Sequence, residues 1–309
     1  MLKKFINLSD LVRVQLCPIE DLNLKVCIGP GGQSFTWKCL SKDKLWAKLV
    51  EGLLIIMECD DEFVYYYCFQ EDLKIMPSIL KKYFRLDDSL DELIGFWRQK
   101  YHKICKLQRG IRIIDQSPFE TFISFICSQN NMIPRIIKML HGLNRNFGKI
   151  RFNLEFEGMV HDLYEFPEAR DLIDSEDRLR KLGFGYRAKF IDSCAKILAE
   201  MPLDYLSTLR NMEYPKVFEE LLQFPGIGPK VADCIALFGL NKLEAVPLDR
   251  HMLKVAADLF VVPKSMTIKQ YKLIGDKFRR VFGNKAGWAQ SLLFTNQLRE
   301  FKNINKDNE

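Results

Sequence analysis

The spacing of apolar residues changes partway along this chain of 309 residues. Within residues 1–100 the apolar positions often recur at every second residue, as in LVRVQLC (11–17), which is typical of a half-buried β-strand. FTWKCLSKDKLWAKL (35–49) predicts two strands joined at 41–43, and LLIIMECDDEFVYYYCF (53–69) predicts two more joined at 60–61. Together with the flexible GPGG at 29–32, these patterns predict an antiparallel β-rich module.

After KYFRLDD (82–88) the spacing becomes helical and stays mostly helical. SPFETFISFICSQNN (117–131) predicts a helix with Ser117 as N-cap, Pro118 in the first turn and Glu120 in the capping-box position. Apolar stripes at helical spacing continue along the rest of the chain, at 132–147, 187–199, 214–223, 230–240 and 286–300. The predicted fold class is therefore α+β, with an N-terminal β-rich domain (1–100) packed on a helical body (101–309).

Two of these helices are joined by FPGIGP (224–229), so the segment 214–240 predicts a tight helical hairpin. Gly226 and Gly228 would allow positive φ and a close backbone approach, and Pro229 suits the first turn of the second helix. Backbone N–H groups at that helix N-terminus could hold a phosphate oxygen. From the spacing alone, a purely structural hairpin and a DNA-binding hairpin are equally good interpretations.

Lys230 distinguishes these two interpretations. A lysine at a helix N-terminus meets the positive end of the helix dipole, which costs roughly 0.3–1 kcal/mol, so a structural turn would avoid it. The same field and burial favour the neutral amine, which is a nucleophile. Asp249, in EAVPLDRHML (244–253), is the candidate carboxylate partner, although it is also a good N-cap for the helix that follows. Both roles are compatible, because a capping carboxylate is held rigidly and stays ionised.

Composition limits the class of protein only loosely. The net charge of +6 permits a polyanionic partner, and the basic stretch Arg98–Arg112, which has six Lys/Arg and no acidic residue, is by itself most simply a solvated face. The nine cysteines include no C-x-x-C pair, which favours free thiols in a reducing compartment and offers no obvious metal site. No apolar run is long enough to span a bilayer, and we interpret MLKKFINLSD as the start of the fold rather than a secretory signal.

FPGIGPKVADC (224–234) followed by VPLDRHM (246–252) resembles the helix-hairpin-helix–Gly/Pro/Asp superfamily of DNA glycosylases. Four further stretches are similar to its 8-oxoguanine DNA glycosylase/AP lyase branch: GPGGQSFTW (29–37), FICSQNNMIPRI (125–136), LRKLGFGYRAKF (179–190) and GWAQSLLF (287–294). The resemblance implies a base-flipping enzyme that excises 8-oxoguanine opposite cytosine from double-stranded DNA. It also implies AP lyase activity through a lysine Schiff base, without a metal or organic cofactor.

The resemblance assigns roles to individual residues. Lys230 matches the nucleophile and Asp249 its assisting carboxylate, while Gly32 matches the glycine whose carbonyl accepts N7–H of 8-oxoguanine. Gln290 matches the amide that reads the Watson–Crick edge, and Phe294 and Cys234 match the pair that sandwiches the base. The implied DNA contacts are Asn130, which fills the vacated space, Arg135 and Arg187 on the orphaned cytosine, the wedge Tyr186, the phosphate contact His251, and the hairpin glycines Gly226 and Gly228. Gln129, Met132 and Pro134 depart from the family pattern around Asn130.

Three other classes of protein share part of this pattern. An endonuclease III-type enzyme for oxidised pyrimidines commonly carries four cysteines after the aspartate, whereas no cysteine follows Cys234 here. An alkylated-base glycosylase shares the β module and aspartate but lacks the lysine. A non-catalytic DNA-binding module would not need Lys230 and Asp249 together, nor a pocket built from four distant segments. We expect an intracellular monomer, in the nucleus or mitochondrion of a eukaryote or the cytoplasm of a bacterium. The sequence leaves open the relative strength of the lyase step and activity on ring-opened purines.

Overall fold

The computed structural model describes residues 4–29, 31–41, 44–101, 104, 109–262 and 266–295. The strands are β1 (Lys4–Asn7), β2 (Val12–Pro18), β3 (Lys38–Ser41), β4 (Leu45–Val50), β5 (Leu53–Cys59), β6 (Phe63–Cys68), β7 (Ile150–Phe156) and β8 (Met159–Tyr164). The first helices are α1 (Leu24–Cys27), α2 (Met76–Phe84), α3 (Leu90–Lys100), α4 (Pro118–Cys127), α5 (Ile133–Phe147), α6 (Glu176–Lys181) and α7 (Arg187–Glu200). The remaining helices are α8 (Tyr205–Thr208), α9 (Tyr214–Leu222), α10 (Pro229–Gly239), α11 (Arg250–Leu259), α12 (Ile268–Phe282) and α13 (Ala286–Thr295).

The predicted antiparallel module is a five-stranded sheet with strand order β2-β6-β5-β4-β3. The two predicted hairpins form as β3–β4 and β5–β6, although most of the 41–43 turn lies outside the described residues. Both faces of this sheet are covered. Ile55 and Met57 pack toward α1 and α2, whereas Leu54 and Ile56 pack toward a second sheet. Burial on both faces explains why LLIIM is a continuous apolar run.

That second sheet lies partly in the segment where we expected mainly helices. β7 and β8 form a hairpin around Glu157 and Gly158, which both have positive φ, and β1 pairs in parallel with β7. The two-residue period of β7 is present in Ile150, Phe152, Leu154 and Phe156. The pattern is short and lies between segments with helical spacing, so we did not predict a strand there. β1 therefore pairs with residues beyond position 100, while the division at residue 100 remains a prediction.

A buried ion pair joins the five-stranded sheet to the helical body. Lys48 Nζ of β4 lies 2.5 Å from Glu120 Oε1 of α4, and the Thr36 hydroxyl also donates to Glu120. The expected capping box of α4 is therefore wrong in one part. Ser117 occupies the N-cap position without a side-chain cap bond, and Glu120 turns inward because Lys48 and Thr36 compete for it.

The basic stretch 98–112 is not simply a solvated face. Arg112 is buried, and its guanidinium donates to the backbone carbonyls of Asp21 (2.5 Å), Arg85 (2.5 Å) and Asp88 (3.0 Å). Three carbonyl acceptors make it a structural cation that ties the segment before α1 and the α2–α3 connection to the body. The middle of the stretch, residues 102–103 and 105–108, lies outside the described residues.

The remaining predicted helices form the main body around one large apolar core. α4 and α10 pack against each other in this core, and the ring of Phe122 on α4 meets the ring of Phe224, in the connection before α10, edge to face at 5.0 Å. The stripe predicted at 286–300 forms α13 as far as Thr295, and its last five residues lie outside the described part. In the described ranges we find no helix with the length and apolar character needed to cross a membrane.

Candidate active site

A cavity of about 890 Å³ opens between the α4–α5 loop, the N-terminus of α10, the start of α11 and the end of α13. Nine of the thirteen site residues expected from the sequence line it: Gly32, Asn130, Arg135, Lys230, Cys234, Asp249, His251, Gln290 and Phe294. These residues come from five separate segments of the chain. The other four, Tyr186, Arg187, Gly226 and Gly228, lie outside its lining.

Lys230 lies at the second position of α10, immediately after Pro229, at the edge of the cavity. Its Nζ is 5.5 Å from the centroid of the Phe125 ring, so the amine rests over an aromatic face. Pro229 begins the helix without an N–H to satisfy, and Gly228 is the N-cap. The hairpin therefore delivers a half-buried lysine to the cavity, as its sequence predicts.

Asp249 is the N-cap of α11, also as predicted. Its Oδ1 accepts hydrogen bonds from the backbone N–H groups of His251 (2.9 Å) and Met252 (2.8 Å). Within the described residues no hydrogen-bond donor reaches its Oδ2. The cap fixes the carboxylate at the rim of the same cavity as Lys230, with one oxygen available to a ligand.

The backbone at Gly32 is held by its neighbour Gln33, which is buried. The Gln33 amide donates to the Arg112 carbonyl (2.7 Å) and accepts from the Ile114 N–H (3.2 Å), while the Gln33 carbonyl accepts from Gln116 (2.8 Å). Gly32 itself has a φ of +86°. A side chain there would be strained in the left-handed region, and its Cβ would point at the Phe294 ring.

The residues that the resemblance assigns to a base pocket, Gln290, Phe294 and Cys234, line the same cavity. Gln290 and Cys234 are buried, and Phe294 is half-buried beside Gly32. Burial raises the pKa of the Cys234 thiol to about 11, and the neighbouring Lys230 acts in the opposite direction. The thiol therefore stays neutral at physiological pH and presents a polarisable apolar surface to the cavity.

Sequence reasoning missed an aromatic wall in this cavity. Phe35, Phe125 and Phe238 all line it; Phe35 meets Phe125 edge to face at 5.7 Å, and Phe125 stacks on Phe238 at 5.5 Å. Phe125 belongs to the motif FICSQNN, but its apolar neighbours favour a role in the hydrophobic core over a role in a cavity. Arg250, next to Asp249, also lines the cavity and was not identified.

The loop between α4 and α5 is held by two residues at the start of α7, the N-cap Tyr186 and Arg187. The Gln129 carbonyl accepts from the Tyr186 hydroxyl (3.2 Å) and from Arg187 Nε (3.1 Å), and Arg187 also donates to the Asn130 carbonyl (3.2 Å). Asn130 has a φ of +43°, a left-handed conformation that these bonds maintain. Arg135 donates to the carbonyl of Gly183 (3.2 Å).

Arg187 is buried, because its guanidinium is enclosed by the loop carbonyls and lies 4.6 Å from the Tyr186 ring centroid.

The two hairpin glycines differ in backbone geometry, and only one matches the expected positive φ. Gly226 has the expected positive φ of +79°, but Gly228 has a φ of −96° and no atom within 4 Å of an added Cβ. Gly228 is thus not required by backbone geometry, since any residue can adopt that conformation.

A buried carboxylate, Asp233, lies on α10 outside the lining of the cavity. Tyr214 and Tyr271 each donate to it at 2.7 Å. Burial raises its pKa to about 6, against the ordinary value of 3.8, although the two hydroxyls and the Arg279 guanidinium lower it in part. No signal in the sequence identified this cluster, because it depends on contacts between α9, α10 and α12.

We expect Asp233 to make the free energy of unfolding fall as pH rises from about 4 to about 6. In that window the folded chain holds the proton and the unfolded chain does not, so stability decreases by on the order of 2 kcal/mol. Urea unfolding of the wild type and of Asp233→Asn across pH 4–7 measures this contribution as the difference between the two curves. A difference that is flat, or that rises with pH, would show that Asp233 keeps an ordinary pKa.

Comparison with known proteins identifies the class to which this fold and cavity belong. Residues 123–281 match the family described as HhH-GPD superfamily base excision DNA repair protein, and residues 14–122 match the 8-oxoguanine DNA glycosylase, N-terminal domain. The chain belongs to this family of DNA glycosylases, and the resemblance seen in the sequence is confirmed.

Particular relatives narrow the class. An N-glycosylase/DNA lyase of Saccharomyces cerevisiae is 36% identical over 72% of this chain and 67% of its own length. An N-glycosylase/DNA lyase of Arabidopsis thaliana is 32% identical over 87% of this chain and 76% of its own length. Among solved structures, the Clostridium acetobutylicum 8-oxoguanine glycosylase/lyase bound to double-stranded DNA with cytosine opposite 8-oxoG superposes with a TM-score of 0.77 at 29% identity, covering 96% of this chain and 97% of that one.

Proposed function

We propose that this protein is a bifunctional DNA glycosylase/AP lyase that excises 8-oxoguanine opposite cytosine from double-stranded DNA, in base excision repair. The observation that carries the proposal is the meeting of Lys230 and Asp249 with Gly32, Gln290 and Phe294 in one cavity. The candidate nucleophile and the candidate base-binding residues therefore line the same cavity. The family and its relatives support the same activity.

In the first step Lys230 Nζ would attack C1′ of the flipped nucleotide, and the N-glycosidic bond would break with its electron pair leaving on the base. The leaving base takes up a proton. Positive charge on the sugar develops beside Asp249, whose Oδ2 is available while Oδ1 caps α11. Fixed placement of the carboxylate by the cap means that it does not have to reorganise during the reaction.

In the second step the amine bound at C1′ opens the sugar to an imine. Loss of a proton from C2′ then expels the 3′ phosphate by breaking the C3′–O bond, and hydrolysis of the imine would release Lys230 again. In this second step the protonated imine formed by Lys230 is the electron sink that accepts the electron pair left at C2′. The residues of the cavity therefore account for both activities without a further cofactor.

Selectivity for the oxidised base would come from the carbonyl at Gly32, which 8-oxoguanine meets with its N7–H. Normal guanine presents a lone pair at N7, and such a mismatched contact costs about 1–3 kcal/mol, or roughly 5- to 150-fold. Gln33 holds this part of the backbone in place through its hydrogen bonds to residues 112–116. Gln290 would read the Watson–Crick edge of the flipped base, while Phe294 and Cys234 would enclose its faces.

On the opposite strand, Asn130 would fill the space left by the flipped base and Tyr186 would wedge beside it. Arg135 and Arg187 would recognise the orphaned cytosine. In the structure the guanidinium groups of both arginines bond to backbone carbonyls, so binding DNA would exchange those acceptors for the base. His251 and the hairpin would contact phosphates, and the open space beside Gly228 at the start of α10 supports a phosphate there.

The residues assigned to the site all belong to one chain, which supports a monomer. For its location we propose a compartment that contains DNA: the nucleus or mitochondrion of a eukaryotic cell, or the cytoplasm of a bacterium. Microscopy of the tagged protein in its own cells would test that assignment.

We expect wild-type protein, mixed with borohydride and a duplex carrying one 8-oxoguanine opposite cytosine, to form a covalent protein–DNA adduct. The same duplex with an oxidised pyrimidine should give little adduct, because the pyrimidine lacks the N7–H that the Gly32 carbonyl would accept. Gel electrophoresis after denaturation measures both. Adduct with the pyrimidine alone would instead indicate an endonuclease III-type specificity, and no adduct with either duplex would refute the lysine mechanism.

A further inference from the structure

A hydrogen-bond chain inside the protein connects the helix that carries Lys230 to the segment that carries Asp249. The Tyr271 hydroxyl of α12 donates to Asp233 Oδ2 of α10 (2.7 Å) and accepts from the backbone N–H of Leu248 (3.1 Å). Leu248 directly precedes Asp249. One hydroxyl therefore bridges the two elements whose relative position sets the geometry of the candidate catalytic pair.

The hydroxyl has a single proton, and its direction can be assigned. The Val246 carbonyl is also within reach at 3.3 Å, but the carboxylate is closer and carries charge, so the proton goes to Asp233. The Leu248 N–H then meets an oxygen lone pair. Tyr271 thus accepts a hydrogen bond from Leu248, next to Asp249, and donates one to Asp233 on α10, the helix of Lys230.

The segment before Asp249 presents one backbone donor to Tyr271. Pro247 has no N–H, so Leu248 carries the N–H group nearest to Asp249 on that side. Leu248 is buried, and an unpaired N–H there would be unfavourable. Tyr271 satisfies this donor and is itself buried near the start of α12, where Thr267 and Gln270 form a capping box. The anchor is therefore held rigidly.

We propose that Tyr271 is a positioning residue for catalysis, which holds the Asp249 carboxylate in register with Lys230 through Leu248 and Asp233. The proposal rests on the proposed function of Lys230 and Asp249. Tyr271 does not touch the cavity, so its effect must pass through the backbone leading to Asp249. A displacement of about 1 Å in a catalytic group lowers a rate by on the order of 100-fold.

The chain contains a matched control. Tyr214 of α9 donates to the other oxygen of the same carboxylate, Asp233 Oδ1, at the same distance of 2.7 Å. Its hydroxyl makes no bond to residues 246–248 in the described structure. Tyr214→Phe and Tyr271→Phe therefore remove equivalent hydrogen bonds to Asp233, whereas only Tyr271→Phe releases the Leu248 N–H.

The experiment compares the two variants in single-turnover excision of 8-oxoguanine. We expect Tyr271→Phe to lower the rate by about 10- to 100-fold and Tyr214→Phe by less than about threefold. Affinity for a duplex with a non-cleavable abasic analogue should be the same in all three proteins. In an Asp249→Asn background, Tyr271→Phe should have little further effect, because the carboxylate that it positions is gone.

Each contrary result has a distinct meaning. Equal rate losses in the two variants, or a Tyr271→Phe effect that persists in Asp249→Asn, would overturn the positioning role. A Tyr271→Phe chain that fails to fold while Tyr214→Phe folds would make Tyr271 structural and would overturn it as well. Absence of any borohydride-trapped adduct in the wild type would instead refute the proposed function.

Discussion

Lys230→Gln is expected to abolish both the borohydride-trapped adduct and the excision of 8-oxoguanine. Glutamine keeps most of the length and packing of the side chain over Phe125 but has no nucleophilic amine. Loss of a covalent nucleophile lowers rates by on the order of 10⁴- to 10⁶-fold. Single-turnover assays and gel analysis of the trapped adduct, at saturating protein, measure this loss directly.

DNA binding should survive the substitution, since Lys230 is only one of several groups at the cavity. Lys216→Gln is the control: it removes the same charge from an exposed position on α9 of the same hairpin, away from the cavity. We expect the control to keep its excision rate and adduct. If Lys230→Gln still formed an adduct, another amine would be the nucleophile and the assignment of Lys230 would be wrong.

Local patterns predicted the elements of this structure better than the contacts between them. The period of two identified the β3–β4 and β5–β6 hairpins because each strand carries its own signal. The capping box at Glu120 failed because Lys48, far away in the chain, competes for the carboxylate. Arg112 was misjudged for the same reason, since its carbonyl partners come from other segments.

The residues of the candidate site also fall into those that local sequence patterns predict and those that depend on contacts between distant segments. Lys230 and Asp249 could be found from local physics, because a helix start with a misplaced lysine and an N-cap aspartate are both short-range features. Gly32, Gln290 and Phe294 lie in segments that only the fold brings together, so their convergence could be expected only from the resemblance. Neither local patterns nor the resemblance identified Asp233 and Tyr271, because a buried polar cluster between helices has no periodic pattern in the sequence.

Substitution by alanine should have different effects at Gly226 and Gly228, because only Gly226 has a backbone conformation and surroundings that require glycine. An alanine at Gly226 would be held at a φ of +79°, and its Cβ would overlap the Phe190 ring at Cγ and Cδ2. The left-handed conformation costs about 1–2 kcal/mol and overpacking about 1–3 kcal/mol. We expect Gly226→Ala to lower the free energy of unfolding by roughly 2–5 kcal/mol, as measured by urea denaturation.

Displacement of the Phe190 ring by Gly226→Ala would also affect residues outside the hairpin. Phe190 packs edge to face against Tyr186, with centroids 6.0 Å apart, and the Tyr186 hydroxyl bonds to the Gln129 carbonyl beside Asn130. If Phe190 has to move, Tyr186, the proposed wedge, and the loop that carries Asn130 move with it. Gly226→Ala is therefore expected to lower stability and also to weaken binding to a duplex with an abasic analogue.

Gly228→Ala supplies the contrast, because its φ of −96° suits alanine and nothing lies within 4 Å of the added Cβ. Its free energy of unfolding should stay within about 0.5 kcal/mol of the wild type. If a phosphate occupies that space, the methyl group should nevertheless weaken DNA binding, as a titration of labelled duplex would measure. Unchanged affinity in Gly228→Ala would mean that DNA does not approach the start of α10, and the hairpin would then be structural at Gly228.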